Sequence, residues 1–120
     1  MVNEARFKGG INMNINDYKI IYVASPYDGD EKQITVVENL ISELIKDDLK
    51  NNRNYIIYIS PLKTFGWLEG IVSKEEILNY NLKLLTLSDE VYVLPDYELD
   101  KSVNQCIGMA KHLGICITYL

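Results

Sequence analysis

Basic residues are scarce: 12 Lys and Arg stand against 17 Asp and Glu, a formal net charge of -5, and the cations form no cluster. Proteins that grip a phosphate backbone gather cations on one face, so a nucleic-acid polymer is not an expected partner. Cysteine is nearly absent. Cys106 and Cys116 form no Cys-x-x-Cys motif, which excludes a disulfide scaffold or a zinc site and points to a reduced, cytoplasmic protein. No apolar run approaches the roughly 18 residues of a membrane span, and Met1 to Asn16 lacks the apolar core of a signal peptide. The first loop has neither the Lys of a P-loop nor the glycine spacing of a dinucleotide fingerprint. His112 lies six positions after Cys106, off the helical face that a metal pair needs. No metal and no cofactor are expected, and there is no internal repeat, low-complexity tract or linker.

What is present is ordinary globular material. A chain of 120 residues, 48% of them hydrophobic, suits one compact domain. Residues 1–17 are polar with a Gly9-Gly10 break and are read as a flexible N-terminal extension, leaving 18–120 as the domain. Apolar, β-branched runs near 19–24, 55–60, 90–94 and 115–119 predict strands. Helical periods predict helices near 31–49, 74–87 and 102–113, with an Asp30/Gln33 cap box, a Ser73/Glu76 cap box and Gly114 as a stop. Strands alternating with helices at short intervals require right-handed crossovers around a parallel sheet covered on both faces. The expected fold is therefore α/β and flavodoxin-like (Rossmann-like), a three-layer sandwich with about four strands in the order 2-1-3-4.

In such a sheet the loops after the strands, Ser25 to Asp30, Pro61 to Gly70 and Pro95 to Lys101, gather at one edge and make the pocket. Their Tyr, Trp, Phe, Asp and Asn content favours stacking and hydroxyl recognition over capture of a multiply charged phosphate. Phe65 and Trp67 serve either to cover a ligand or to bury a subunit contact. Asp89 is expected to position the start of the third strand.

The run Asp100-Lys-Ser-Val-Asn-Gln-Cys-Ile-Gly-Met-Ala110 resembles the signature of the nucleoside 2-deoxyribosyltransferase family. That family carries Asp-x-Gly-x-x-x-Glu-x-Gly-x-Ala in a loop entering a helix, and its Glu attacks the anomeric carbon. The resemblance extends over about Lys19 to Tyr119. It places Tyr22 beside the nucleophile position, Asn81 where the family usually has a base-contacting Asp, and Asp100 where an Asp holds sugar hydroxyls. Ser102 stands in place of a Gly and Cys106 in place of the nucleophilic Glu. The resemblance implies a ligand-binding set of Tyr22, Ser25, Asn81, Asp100, Ser102 and Cys106. Asp100, Cys106 and Tyr22 are the only candidates for catalysis. Because relatives complete their pockets across subunits, a homo-oligomer with Phe65, Trp67 and Tyr80 in or near its interface is also implied.

A carboxylate stabilises an oxocarbenium-like centre with a fixed negative charge and forms a labile ester. A thiol has a pKa near 8.5. A place about four residues into a helix lowers that value and the nearby Asp100 raises it, so a full thiolate is not expected. Three functions follow. The first is a protein that binds or sequesters a nucleoside, nucleotide or related ribosyl signal without turnover, a sponge of the kind conceivable among the small bacterial and phage members of the family. The second is an N-ribosyl hydrolase or deoxyribosyltransferase with altered chemistry at Asp100 and Cys106. The third is an interaction module with a vestigial pocket.

Overall fold

A computed structural model describes residues 18–26 and 31–120. The N-terminal extension and the expected Asp30 cap, with the neighbouring Asp28 and Gly29, lie outside the described residues. β1 (Lys19–Ala24), β2 (Ile56–Ile59), β3 (Glu90–Val93) and β4 (Cys116–Tyr119) form one sheet in the order β2-β1-β3-β4. Every pairing is parallel, with Tyr22 opposite both Ile59 and Val91 and with Val93 opposite Tyr119. This is the expected α/β three-layer arrangement.

The four consecutive residues Ile21, Tyr22, Val23 and Ala24 are all buried, as a strand hydrogen-bonded on both sides and covered on both faces requires. Successive side chains of a strand alternate between faces, so the run serves two cores at once. Tyr22 and Ala24, with Val91 and Val93, pack against Leu85 of α3 (Lys74–Leu85) and against Val103, Cys106, Ile107 and Ala110 of α4 (Lys101–Leu113). Val23 and Leu94 pack on the opposite face against Val37, Leu40 and Ile41 of α1 (Glu31–Lys50). No helix among the described residues is long and apolar enough to cross a membrane.

Polar ties fix the ends. Asp48, buried near the end of α1, accepts from Arg53 Nε at 3.0 Å and from the Tyr58 hydroxyl at 2.5 Å. Helix and strand β2 are thereby locked at the edge away from the pocket. Leaving those donors without a partner costs about 1–3 kcal/mol, a large share of a domain's net stability. Asp89 Oδ2 accepts from Ile20 N at 2.7 Å, the strand-positioning role expected of it.

The stretch Pro61 to Gly70, expected as loop, instead begins with the short helix α2 (Pro61–Phe65) and the 3-10 turn Gly66–Leu68. The physical reason is local: Ser60 caps the helix, accepting from Lys63 N at 3.3 Å, and Pro61 sits at the first helical position, where its missing N–H costs nothing. The proline that stops β2 starts α2.

Two glycines of the last helix differ. Gly114 terminates α4 at φ 74, in the left-handed region. Gly108 has no such conformation, and a Cβ built on it meets nothing within 4 Å. Gly108→Ala is therefore expected to stabilise the protein by about 0.5–1 kcal/mol. Gly114→Ala is expected to destabilise it by about 1–2 kcal/mol. Urea denaturation of the two variants checks both signs.

Candidate functional site

The chain leaves β1 for one side of the sheet and β3 for the other, so a crevice opens beyond the carboxyl ends of these neighbours. A cleft of about 230 Å³ lies there. Ser25 enters it from the end of β1, Pro61 and Leu62 from α2, Ile77, Leu78 and Asn81 from one face of α3, and Asp100 and Ser102 from the start of α4. Ligand pockets commonly measure about 300–1,000 Å³, so this one suits a single small molecule and not a dinucleotide.

Asp100 and Ser25 are held by local structure. Asp100 is the N-cap of α4, with Oδ1 accepting from Val103 N at 2.9 Å. Asn104 fastens the loop ahead of that helix, its amide donating to the carbonyls of Tyr97, Glu98 and Asp100. Ser25 Oγ accepts from Gln33 Nε2 at 2.7 Å. Asn81 is different. Its Oδ1 is buried and meets no donor among the described residues. Glu69 and Lys74 add to the polar lining, so the described residues of the cleft include two carboxylates, Glu69 and Asp100, and one ammonium.

Of the six residues expected to form the site, Ser25, Asn81, Asp100 and Ser102 line the cleft. Tyr22 and Cys106 do not. They meet each other instead, Tyr22 Oη to Cys106 Sγ at 3.3 Å with either able to donate, within the core between the sheet and α4. Tyr22 is 1% exposed and Cys106 3%. Burial pushes the Cys106 thiol above its ordinary pKa; the Tyr22 hydrogen bond pulls it back in part, and the charge of Asp100 raises it again. Burial, then the proximity of Cys106, raises Tyr22. Both groups are neutral at pH 7, and neither has the fixed charge that glycosidic cleavage demands of a nucleophile.

Lys74 and Gln33 escape sequence reasoning, whereas Glu69 falls within the Pro61 to Gly70 stretch expected at the pocket. Lys74 follows the Ser73 cap of α3 and reads as an ordinary helix-start charge. Gln33 reads as the partner of an Asp30 cap, yet its side chain reaches Ser25. Phe65 stacks on Tyr80, with ring centroids 5.5 Å apart, and Trp67 is 68% exposed; neither lines the cleft. Among the described residues no group of three or more His, Cys, Asp or Glu side chains is placed to hold a metal ion.

Cys116 is exposed and Cys106 buried, which sets up a direct contrast. Iodoacetamide applied to the native protein should label Cys116 and spare Cys106, with both labelled in urea; peptide mass spectrometry reads the result. Equal native labelling would place the Cys106 thiol in solvent. The unfolded chain loses its thiol protons first, from roughly pH 8.5, while the folded chain still holds that of Cys106. Stability should therefore fall as pH rises above that value, and less steeply in Cys106→Ala. No protein-family model and no curated protein matches the chain.

Proposed function

We propose that the protein is a small-molecule binding protein of the deoxyribosyltransferase-like kind, holding a nucleoside-type ligand in the cleft without turning it over. The observation that carries this reading is the buried Asn81 Oδ1 with no donor among the described residues. Leaving a buried acceptor unmade costs about 1–3 kcal/mol, and native proteins rarely tolerate such a group without a role for it. A ligand N–H or O–H donor would satisfy it once the Asn81 side chain turned its oxygen, which as it stands has no exposed surface, into the cleft. The apolar Pro61, Leu62, Ile77 and Leu78 offer a surface for a flat base, and the hydroxyl and carboxylate groups of Ser25, Ser102 and Asp100 suit a hydroxylated sugar. The lack of turnover rests on Cys106, which is neutral, buried and absent from the cleft lining.

Self-association belongs to the same proposal. Trp67, Ile71 and Tyr80 are exposed on the connection and helix that flank the cleft, and exposed aromatic and aliphatic side chains of this kind mark contact surfaces. A dimer or larger symmetric assembly is expected by light scattering, weakened by Trp67→Ser. A monomer at working concentration would remove this part of the proposal.

A thermal-shift screen with nucleosides, nucleoside monophosphates and cyclic nucleotides tests binding, because a ligand that prefers the folded state raises the transition temperature. Stabilisation by at least one nucleoside, with no free base released on chromatography, is the expected outcome. Base release that disappears in Cys106→Ala would make the protein an enzyme. Asn81→Leu should lose the ligand response while raising the stability of the free protein by about 1 kcal/mol, since it removes an unsatisfied polar group. Asp100→Asn is the useful variant at the helix cap. Asparagine still caps α4, so weaker binding reflects the lost charge and not a frayed helix.

A further inference from the structure

We propose that Gln33, which lies outside the cleft, is a positioning residue that fixes the direction of hydrogen bonding at Ser25 and so makes the cleft select ligands that present hydrogen-bond donors. Its role rests on the assignment of the cleft as a ligand site. Gln33 occupies the first turn of α1, and its Nε2 donates to Ser25 Oγ at 2.7 Å. The Ser25 hydroxyl donates its single proton to Pro26 O at 3.1 Å. A hydroxyl has one donor and two acceptor sites. With the proton committed and one acceptor site filled by Gln33, the site left to Ser25 is an acceptor.

The rest of the polar lining has the same bias. Asn81 Oδ1 is an acceptor with no donor among the described residues, and the carboxylates of Asp100 and Glu69 accept when ionised. Donors come from the Lys74 ammonium, the Ser102 hydroxyl and the Asn81 amide nitrogen. Among the described residues the two carboxylates, the Asn81 oxygen and Ser25 weight the lining towards acceptors, which a ligand meets with O–H or N–H groups. A sugar edge with free hydroxyls, or an exocyclic amine, meets that demand. A phosphate brings only acceptors and negative charge to a lining whose described residues hold two carboxylates and one ammonium. Gln33 matters because without it the Ser25 hydroxyl has a second acceptor site open and is free to turn, and the donor-only demand at that corner is lost.

Calorimetry on the full chain with adenosine, 2′,3′-dideoxyadenosine and adenosine 5′-monophosphate tests the proposal. The wild type is expected to bind adenosine more tightly than either of the other two. Gln33→Met should weaken adenosine by about 3- to 10-fold, the weight of one neutral hydrogen bond, and should narrow its advantage over the monophosphate. Ser25→Ala should do the same, and the double variant should be no worse than Ser25→Ala alone, because the two residues act as one unit. Gln33→Asn, too short to reach Ser25 but still polar, provides the same comparison if Gln33→Met folds poorly. Unchanged selectivity in a folded Gln33 variant, or additive losses in the double variant, overturns the role of Gln33 and leaves the cleft assignment standing. A wild type that binds none of the three probes overturns both.

Discussion

Strand β1 is hydrogen-bonded on both sides, and the chain departs from it and from its neighbour β3 in opposite directions. That reversal decides what the molecule can present to a ligand. With β1 committed to pairing with β2 and β3, its last four side chains serve two cores, and the polar group at its carboxyl end is Ser25. The same constraint brings the start of α4 beside that turn, because β3 must release its chain at the same edge. Ser25 and Asp100 are 75 positions apart in the chain and share one cleft for this reason. Each fully buried aliphatic side chain in the two cores contributes on the order of 1.5–3 kcal/mol, so the edge geometry is held by packing well away from the cleft.

The contact of Tyr22 with Cys106 shows how the same packing limits chemistry. A tyrosine hydroxyl and a thiol 3.3 Å apart in an exposed pocket would be a plausible proton-transfer pair. Here they are sealed between sheet and helix. Desolvation disfavours the charged form of both, and ionising either would place an anion in an apolar core. The pair satisfies its own polar atoms and leaves α4 free to dock. A glutamate at position 106 would need a route to solvent or a cationic partner, and the surrounding Leu85, Val91, Val93 and Val103 supply neither. A small, soft side chain at position 106 therefore suits how tightly this helix packs.

Most of the fold is legible in the sequence, because apolar period and cap chemistry are local signals. YKIIYVA, YIIYIS and VYVL mark three strands and Gly114 a helix stop, and each lies within a residue or two of its expected place. α2 escapes detection because a proline after a strand signals a break as readily as a helix start, and only the Ser60 side chain decides between them. At the site, the residues Ser25, Asn81, Asp100 and Ser102 converge as a sheet-edge reading implies. What cannot be read from local pattern is depth. Tyr22 and Cys106 stand 84 positions apart, and that they meet in the core follows from the packing of α4 on the sheet, which no local pattern encodes. Gln33 is hidden for the same reason, since a first-turn glutamine resembles a cap partner until the loop opposite is in place.

The cleft also departs from the satisfied, charge-balanced interior of the rest of the domain. Elsewhere the polar groups that enter the core are paired: Asp48 with Arg53 and Tyr58, Glu90 with Lys19 and Thr118, Ser88 with a helix carbonyl. Asn81 alone among the described residues has a buried side-chain oxygen or nitrogen with no partner. Net stabilities are only about 5–15 kcal/mol, so a penalty of about 1–3 kcal/mol is a substantial concession at one position. An apolar residue of similar size would remove it at once. Folded proteins break such local rules mainly where a site demands it, and this exception falls at the one edge of the sheet where the topology already opens a crevice. The unsatisfied oxygen and the switch point are independent features, one of side-chain chemistry and one of chain path, and their coincidence is what makes the cleft more than a gap in the packing.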